Sequence, residues 1–410
     1  MRCSRRCRSG KIYVNVIRRG LVLEKRFVYA DNAATTAPLP EVIDEMMIYL
    51  LDKWGNPSSI HRKGNEAKKA LDAYRAKIAS LLDCEKEEIY FTSCGTEADN
   101  HAIRGAAYAN AANGKHIITT KIEHPAVLRT CKALEKEGFS VTYLDVDGDG
   151  RVSAQAVEGA IREDTILVSV MYANNEIGTI MPIKEIAEVC RAHGVLCMTD
   201  AVQAVGSVPI SIRDLGVDML TASGHKIHAP KGIGLLYIKK GKKVGNLIDG
   251  GGQERGRRGG TENLPYIAAF AKALEIAVSR LPDMARVEKM RNRLIDELLK
   301  IPYSRLNGSR EHRLPGNANI SFEFIEGESI LLLMDLAGIC CSTGSACSSN
   351  SLDPSHVLLA IGLAHEVAHG SVRLTLSHEN TEEDIDYIIE NLKNTVERLR
   401  AMSPLYEKYR

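Results

Sequence analysis

The regular alternation of helix-like and strand-like segments constrains this 410-residue chain more than any other feature. From about residue 64, stretches with apolar residues at every third or fourth position alternate with short apolar runs. For example, the segment 64–84 places Ala67, Leu71 and Ile78 at helical spacing, and the strand-like "EIYFTS" follows it. Strands separated by helices of about ten to fifteen residues are typical of βαβ units. We therefore predict an α/β fold with a mostly parallel sheet between helices.

The same alternation predicts how the chain divides into domains. The predicted strands are "EIYFTS", "HIITT", "VTYL", "TILVSVMYA" and "VLCMTD", with helices near 97–111, 125–137 and 183–193. A glycine-rich loop at 249–263 is followed by helices near 264–280 and 283–300 and then by a mixed α+β pattern. We predict a basic N-terminal extension at 1–27, a large domain at 28–280 and a smaller α+β domain at 281–410. The start of the large domain is expected to pack on the smaller one.

Composition and charge exclude several classes of function. The chain is 44% hydrophobic and 26% charged, and none of its uncharged apolar runs is long enough to span a bilayer, so we expect no membrane partner. The net charge of +1 hides an asymmetry, because residues 1–26 contain nine Lys/Arg and a single acidic residue, Glu24. The rest of the chain is acidic, which argues against nucleic acid as a partner. We expect the extension to be disordered and the protein to be cytoplasmic; a mitochondrial location would require this arginine-rich stretch to be a transit peptide.

The ten cysteines include no C-x-x-C pair, and a chain of this size does not need disulfides, so a reducing cytosol is expected. Cys340 and Cys341 continue an apolar segment and are predicted to be inert, buried thiols. Cys347 differs because its neighbours in "GSACSS" are small and polar, which predicts a flexible, exposed loop. A nucleophile that must travel needs such a loop. Adjacent cysteines rarely bind one ion, so no intrinsic metal site is predicted.

Residues 365–369 match H-E-x-x-H, the spacing that places two histidines of a zinc protease on one helical turn. A zinc protease needs a sustained helix and a third ligand downstream. Here Gly370 follows the second histidine at once, and "SVRLTL" alternates like a strand. We interpret the match as accidental.

Polar side chains follow the predicted strands, where the catalytic groups of a parallel sheet gather. Gly95 and Thr96 open a helix after "FTS" and offer N–H groups to an anion. The next strands are followed by His124, by Asn175 and by Asp200, with Gln203 three residues after Asp200; Lys226 lies between His225 and Ile227 in "TASGHKIHAPKGIG". A lysine, a strand-end carboxylate and a helix N-terminus are the groups that pyridoxal phosphate needs for its Schiff base, its ring nitrogen and its phosphate.

The ordered motifs of the chain resemble those of one known family, the cysteine desulfurases of the NifS/IscS type. They run from about residue 28 to the C-terminus and include "YADNAATT", "GNPSSIHRKG", "FTSCGTEADN", "IITTKIEHPAV", "ANNEIGT", "TDAVQAVG", "SGHKIHAPKGIG", "GGGQERGRRGGTEN", "EGESILLLMDLAGI", "STGSACSSNSLDPSHVL" and "AHGSVRLTL". The resemblance implies a fold-type I pyridoxal-phosphate enzyme that works as a homodimer, with a seven-stranded sheet in the large domain.

The resemblance also implies roles for individual residues around the cofactor ring. Lys226 is expected to be the Schiff-base lysine, Asp200 to pair with the ring nitrogen and Gln203 to contact the ring hydroxyl. His124 is expected to stack on the ring and assist proton transfer, and Asn175 to lie beside the cofactor and the substrate.

Further roles concern the cofactor phosphate, the substrate and the sulfur. Thr261 is expected to reach the phosphate from the other protomer, and the same-protomer phosphate contacts are expected to be Gly95, Thr96, Ser223 and His225. Asn56 and Arg373 are expected to bind the substrate carboxylate, for which the fork of an arginine is suited. Cys347 is the expected sulfur acceptor.

The implied reaction converts L-cysteine to L-alanine and leaves a persulfide on Cys347, whose sulfur passes to an iron–sulfur scaffold or another acceptor protein. Cys347 would contact a cluster iron only through that acceptor. Two alternatives on the same fold are a selenocysteine lyase and an aminotransferase. An aminotransferase has no use for a mobile loop cysteine, whereas the sequence does not distinguish cysteine from selenocysteine. A non-catalytic iron–sulfur scaffold would leave Lys226, Asp200 and His124 unexplained.

Overall fold

The computed structural model of the chain describes residues 26–343 and 354–408. A seven-stranded sheet lies between layers of helices, and a smaller three-stranded sheet is covered by helices of the C-terminal part. None of the helices in these two ranges has both the length and the apolar character needed to cross a membrane.

The described ranges contain twelve strands, several of which are short. They are β1 (Val28–Tyr29), β2 (Ile89–Thr92), β3 (His116–Thr120), β4 (Ser140–Leu144), β5 (Thr165–Ser169), β6 (Leu196–Asp200), β7 (Met219–Ser223), β8 (Gly234–Ile238), β9 (Ser304–Leu306), β10 (Asn317–Phe322), β11 (Ile339–Cys340) and β12 (Ser371–Thr375).

Fourteen α-helices connect and cover these strands in the described part of the chain. They are α1 (Pro40–Leu51), α2 (Arg62–Leu82), α3 (Gly95–Asn110), α4 (Pro125–Lys136), α5 (Ala154–Ala160), α6 (Ile183–Ala192), α7 (Ile212–Leu215), α8 (Leu264–Ser279), α9 (Met284–Leu298), α10 (Gly327–Leu336), α11 (His356–Ala360), α12 (His365–His369), α13 (Glu382–Ala401) and α14 (Pro404–Glu407).

The large sheet has the strand order β2-β8-β7-β6-β5-β3-β4. β3 to β7 run parallel to one another, and β8 is antiparallel to both β7 and β2. The prediction of a mostly parallel sheet between helices is therefore confirmed, although β8 was not among the predicted strands. The carboxyl ends of β3, β5, β6 and β7 consequently meet at one edge of the sheet.

Both faces of this sheet are buried, as the near-continuous apolar runs of its strands require. Successive residues of a strand point to opposite faces. In β5, Leu167 packs with the core under α3 and α4, whereas Val168 packs with the larger core under α2, α6 and α8. The sheet is thus held between two apolar layers. This packing fixes the positions of the strands and therefore of the strand ends at the edge of the sheet described above.

The C-terminal region has its own core around the antiparallel sheet β12-β10-β9 and helices α9, α10 and α13. The first described residues also contribute to this core. Val28 and Ala30 are buried in it, and β1 pairs in parallel with β11. The domain limits at 27/28 and 280/281 stay predictions.

A buried ion pair fixes the glycine-rich loop of 249–263 against the large sheet. The guanidinium of Arg75 donates to both carboxylate oxygens of Glu254 at 2.7 and 2.8 Å, and Phe91 N donates to Glu254 Oε2 at 3.0 Å. The side chains are only 7% and 3% exposed, so neither charge is solvated once its partner is lost.

We expect Arg75→Leu to destabilise the protein by about 3–5 kcal/mol, because it leaves Glu254 buried without its cation. Urea denaturation of the full chain measures the change. Arg62→Leu is the matched control, since the Arg62–Glu66 pair on the same helix is exposed and such pairs contribute roughly 0–1 kcal/mol. Equal losses of stability in the two variants would contradict the assignment of Arg75 and Glu254 as a buried, stabilising ion pair.

Candidate active site

A cavity of about 330 Å³ opens at the edge of the sheet where β6 and β7 end. This volume lies at the lower end of the range of roughly 300–1,000 Å³ found for small-molecule sites. Its lining residues come from both the large and the C-terminal regions: Ala33, Ala34, Cys94, Gly95, Thr96, Asp99, His124, Met171, Ala173, Asn175, Asp200, Val202, Gln203, Ser223, His225, Lys226 and Arg373.

One end of the cavity is formed by the N-terminus of α3. Cys94 caps this helix, and its sulfur accepts from Glu97 N at 3.4 Å. A Cβ added to Gly95 would lie 2.9 Å from Val202 Cγ2, so a larger residue would require the Val202 side chain to shift. Ser223 Oγ is buried and has no hydrogen-bond partner within the described ranges. Free N–H groups at a helix N-terminus and an unpaired hydroxyl suit an anionic group such as a phosphate.

Thr96 and His225 complete this end of the cavity. His225 Nδ1 lies 3.1 Å from Thr35 Oγ1. Burial, with a smaller contribution from Lys226, lowers the pKa of His225 to about 4. His225 is therefore neutral at physiological pH and could donate a hydrogen bond to an anion without adding a charge.

The middle of the cavity contains His124 and Asp200. His124 follows β3 and caps α4, whose first residue is Pro125, and its Nδ1 accepts from Ala126 N at 3.1 Å. Asp200 ends β6, is 5% exposed, and accepts from Val202 N at 2.9 Å. Burial lowers the pKa of His124 and raises that of Asp200, and in each case the charge of the other residue partly opposes the shift. A positively charged ring nitrogen placed beside Asp200 would restore its ionised form.

Lys226 lies in a single 3₁₀ turn, Gly224–Lys226, directly after β7. Its Nζ donates to the carbonyl oxygens of Ala33 and Ala34 at 2.5 and 2.8 Å. Gln203 Nε2 donates to the same oxygen of Ala33 at 3.0 Å. The segment around Ala33, in the motif "YADNAATT", thus closes the cavity on the side of the lysine.

Arg373 enters the cavity from β12 of the small sheet and is 2% exposed. Its Nη1 donates to Asn175 O at 3.0 Å, and its Nη2 donates to Asp31 Oδ1 at 2.9 Å. Its Nε is buried without a hydrogen-bond partner in the described part of the chain. The guanidinium therefore has both a fixed orientation and a donor to spare for a carboxylate.

Ten of the thirteen site residues predicted from the sequence line this cavity, and three do not. Thr261 lines a separate cleft beside Glu254 and Arg258. Asn56 is exposed, and its side chain accepts from Ser58 N at 2.9 Å. Cys347 lies outside the described residues, so its predicted loop is untested.

The residues of the cavity fit pyridoxal phosphate. The hydroxyl of Ser223, which has no partner among the described residues, and the close approach at Gly95 suit its phosphate. The buried carboxyl of Asp200 suits its ring nitrogen. Lys226 places in the same cavity an amine of the kind that such a cofactor binds.

Sequence reasoning missed several polar residues of the site. Asp31, which orients Arg373, and Asp99, which lines the cavity one helical turn after Gly95, were quoted within motifs but given no role. For Asp99 the spacing from Gly95 was the available signal, since position i+4 of a helix lies on the same face as position i. Glu123, adjacent to His124, is fully buried and was also missed.

Two other predictions concern residues near the cavity. The H-E-x-x-H stretch forms only the five-residue helix α12, and the described residues contain no cluster of three or more potential metal ligands. Cys340 and Cys341 are both partly exposed, so the prediction of buried thiols was wrong. Burial nevertheless raises the pKa of Cys341 to about 12, which keeps that thiol protonated and unreactive.

Ser223→Ala is expected to weaken binding of pyridoxal phosphate about ten- to hundredfold, the equivalent of one hydrogen bond to a charged group. Stability without cofactor should change little, because Ser223 Oγ has no partner to lose among the described residues. Absorbance titration gives the dissociation constant. Ser169→Ala, a buried serine on β5 outside the cavity, is the control and should leave the constant unchanged. Equal affinity in both variants would remove Ser223 from the phosphate site.

Comparisons with known proteins give the family. The family model for class-V aminotransferases matches residues 28–388. The chain is 54% identical over 386 residues to cysteine desulfurase IscS of Clostridium botulinum, an alignment that covers 93% of this chain and 97% of that protein. It is 53% identical over 386 residues to cysteine desulfurase IscS of Methanosarcina thermophila, covering 94% and 96%.

Solved structures agree with this assignment. A NifS-like protein that is 40% identical superposes with a TM-score of 0.86 over 91% of this chain and 100% of that one. SspA in complex with cysteine, 36% identical, superposes with a TM-score of 0.76 over 86% and 100%. The chain belongs to the class-V aminotransferase family of pyridoxal-phosphate enzymes, in its cysteine desulfurase group.

Proposed function

We propose that the protein removes sulfur from free L-cysteine, releases L-alanine and holds the sulfur as a persulfide on Cys347. Cysteine desulfurase activity follows from family membership; the roles of individual residues are our proposal. The observation that carries it is the convergence of Lys226, Asp200, His124 and Arg373 on one cavity.

The cavity contains the groups that this role would require at its cofactor end. Gly95, Thr96, Ser223 and His225 would hold the phosphate, and Asp200 and Gln203 would hold the ring. Bound pyridoxal phosphate supplies an electron sink that takes up the charge left when a proton leaves the α-carbon of an amino acid.

The substrate end is defined by Arg373. Asp31 and Asn175 accept hydrogen bonds from two of its nitrogens, so the guanidinium has a fixed orientation. Its Nε–H has no partner among the described residues and can donate to a substrate. An α-carboxylate is the anion of a free amino acid that an arginine fork binds well. Because the similar protein SspA has been solved in complex with cysteine, we extend L-cysteine to this chain as substrate.

Proton transfer falls to Lys226 and His124. The amine of Lys226 takes the α-proton, and the two carbonyl oxygens of Ala33 and Ala34 can hold the resulting ammonium. Burial lowers the pKa of His124, so its imidazole is neutral at pH 7 and can accept a proton.

The chain segments on both sides of Cys347 are attached near the cavity. On one side, the backbones of Ser342 and Arg373 exchange two hydrogen bonds of 2.6 and 3.1 Å. On the other, Ser355 Oγ donates to Glu176, and His356 Nε2 contacts Glu123 O at 3.1 Å. Because Ser342 pairs directly with Arg373, the chain enters the segment that contains Cys347 beside the proposed substrate-binding arginine. This supports Cys347 as the residue that takes the sulfur. The thiol of L-cysteine becomes the outer sulfur of the persulfide, and the carbon skeleton leaves as L-alanine.

Cys347→Ser is expected to keep the yellow colour of bound cofactor and lose sulfide release by at least about a thousandfold, because a hydroxyl does not accept sulfur. Lys226→Ala should lose both. The wild type should yield alanine and sulfide in equal amounts from L-cysteine with a reductant. Cys340→Ser, a nearby thiol without a proposed role, should retain activity. A colourless protein, or full activity in Cys347→Ser, would contradict the proposal.

We further propose that the protein works as a homodimer. Thr261 and Asn56 lie outside the cavity of their own chain, so a second copy would bring them to it. A contiguous segment around Asn56 also exposes apolar side chains that a subunit contact would cover: Met47, Leu50, Leu51, Trp54 and Ile60. Ile60 is 95% exposed, the most open of these.

Hybrid dimers test whether Thr261 acts on the partner's site. We expect Thr261→Ala to weaken cofactor binding about tenfold, the equivalent of one hydrogen bond. When it is mixed and refolded with Lys226→Ala, the hybrid should contain one fully intact site and regain tight binding and activity. If Thr261 serves its own chain, each site of the hybrid carries one defect and activity stays low. A monomer in sedimentation would also contradict the proposal.

The sulfur acceptor and the location belong to the same proposal. We propose an iron–sulfur scaffold or another acceptor protein that takes sulfur from Cys347, and a cytoplasmic location. The seven cysteines that the structure describes are free thiols, in keeping with a reducing compartment.

A further inference from the structure

Three buried carboxyl groups cluster beside the cavity, although the proposed reaction uses only one of them. Asp200 ends β6, Asp99 lies in the second turn of α3, and Glu123 follows β3. They are 5%, 1% and 0% exposed. Asp99 and Asp200 line the same cavity, and Glu123 precedes His124 in the chain.

Asp99 and Glu123 are held by neutral donors. Asp99 Oδ1 accepts from Thr221 Oγ1 at 2.6 Å. Glu123 Oε1 accepts from Thr120 Oγ1 at 2.7 Å and from Met171 N at 3.0 Å. Glu123 Oε2 is buried and has no partner among the described residues. For the described part of the chain, no ion pair joins either carboxyl to a lysine or an arginine.

Asp200 differs because Lys226 supplies a positive charge that favours its ionised form. The imidazole of His124 adds to this effect only when it is protonated. The other titratable groups near the cluster are thiols and one imidazole: Cys94 beside Asp99, Cys131 on α4 beside Glu123, and His356, whose ring contacts Glu123 O. None of these supplies a permanent positive charge.

Three negative charges in a region so well buried from solvent would repel one another strongly. Burial, and then the charge of Asp200, raises the pKa of Asp99 well above its usual range. Burial raises the pKa of Glu123 to about 8. The cluster therefore favours one ionised carboxyl group over two or three.

We propose that Asp99 and Glu123 are positioning residues that stay protonated at neutral pH, so that the negative charge of this cluster rests on Asp200. The proposal depends on Asp200 pairing with the ring nitrogen, as proposed above. A neutral Asp99 spares Asp200 the repulsion of a second anion, and Asp200 then remains ionised for the cofactor. A neutral Glu123 likewise adds no negative charge next to His124 and Asp200.

The isosteric neutral variants Asp99→Asn and Glu123→Gln test this proposal in the full chain. If the native acids are protonated, both variants should bind pyridoxal phosphate at pH 7 within about threefold of the wild type, because a protonated acid and an amide have the same shape and charge. Asp99→Ala and Glu123→Ala should bind at least about tenfold more weakly, since they leave buried donors unpaired. A tenfold loss in either amide variant would overturn the proposal.

The pH dependence of stability gives a second readout, which a purely structural role of Glu123 would leave unchanged. A carboxyl whose folded pKa is raised stabilises the fold fully below its unfolded pKa, and this stabilisation is lost as the pH rises through the folded pKa. Between about pH 5 and about pH 8, the unfolding constant of the wild type should therefore rise relative to Glu123→Gln, by up to about tenfold per pH unit, and the difference should level off above. A constant difference across this range would overturn the proposal for Glu123.

Two further variants separate this proposal from the proposed function. Asp218→Asn is the matched control, because Asp218 is also buried at the sheet but pairs with Lys242 outside the cavity. It should bind the cofactor normally. Asp200→Asn should bind it at least about tenfold more weakly through loss of the ionic partner. If Asp200→Asn binds normally, the proposed role of Asp200 fails; if it weakens and Asp99→Asn weakens equally, only the present inference fails.

Discussion

The guanidinium of Arg373 is the point on which the assembly of the site depends. It lies on β12 of the small sheet, yet its hydrogen bonds go to Asn175 of the large region and to Asp31 near the start of the described chain. Its backbone pairs with Ser342, directly before the segment that contains Cys347. A buried arginine needs partners for its charge, and these partners hold three distant parts of the chain against one cavity. The group proposed to bind the substrate carboxylate therefore also joins the two cores.

A second constraint is electrostatic. The cavity sits where strand ends, the N-terminus of α3 and buried carboxyls meet, so each ionisable group has a protonation state set by burial and by its neighbours. His225 and His124 are kept neutral by burial, whereas the charge of Lys226 opposes the effect of burial on the pKa of Asp200. The arrangement favours an ionic partner for the ring nitrogen of a cofactor and neutral donors for most of the remaining contacts.

Much of this could be predicted from the sequence because the signals were local. The apolar runs of β3, β5 and β6 and the helical spacing of α2 require only the period of each element. Polar residues at strand ends could be assigned to one edge because parallel strands share a direction. The prediction was wrong for the burial of Cys340 and Cys341, since exposure depends on which elements pack around a short strand. It also missed β8, which runs antiparallel at a point where the pattern predicted βαβ units.

The sequence by itself determined the fold class, the family and the set of polar groups that follow each strand, because periodicity and ordered motifs are properties of the chain alone. Only the tertiary structure decided which of those groups meet. It placed Lys226, His124 and Asp200 on one cavity and left Thr261 and Asn56 outside it. It also gave Arg373 its partners and brought Asp99 and Glu123 beside Asp200, since contacts between residues far apart in sequence depend on how the layers pack. Burial and charge act through space, so a residue's protonation state cannot be read from its neighbours along the chain.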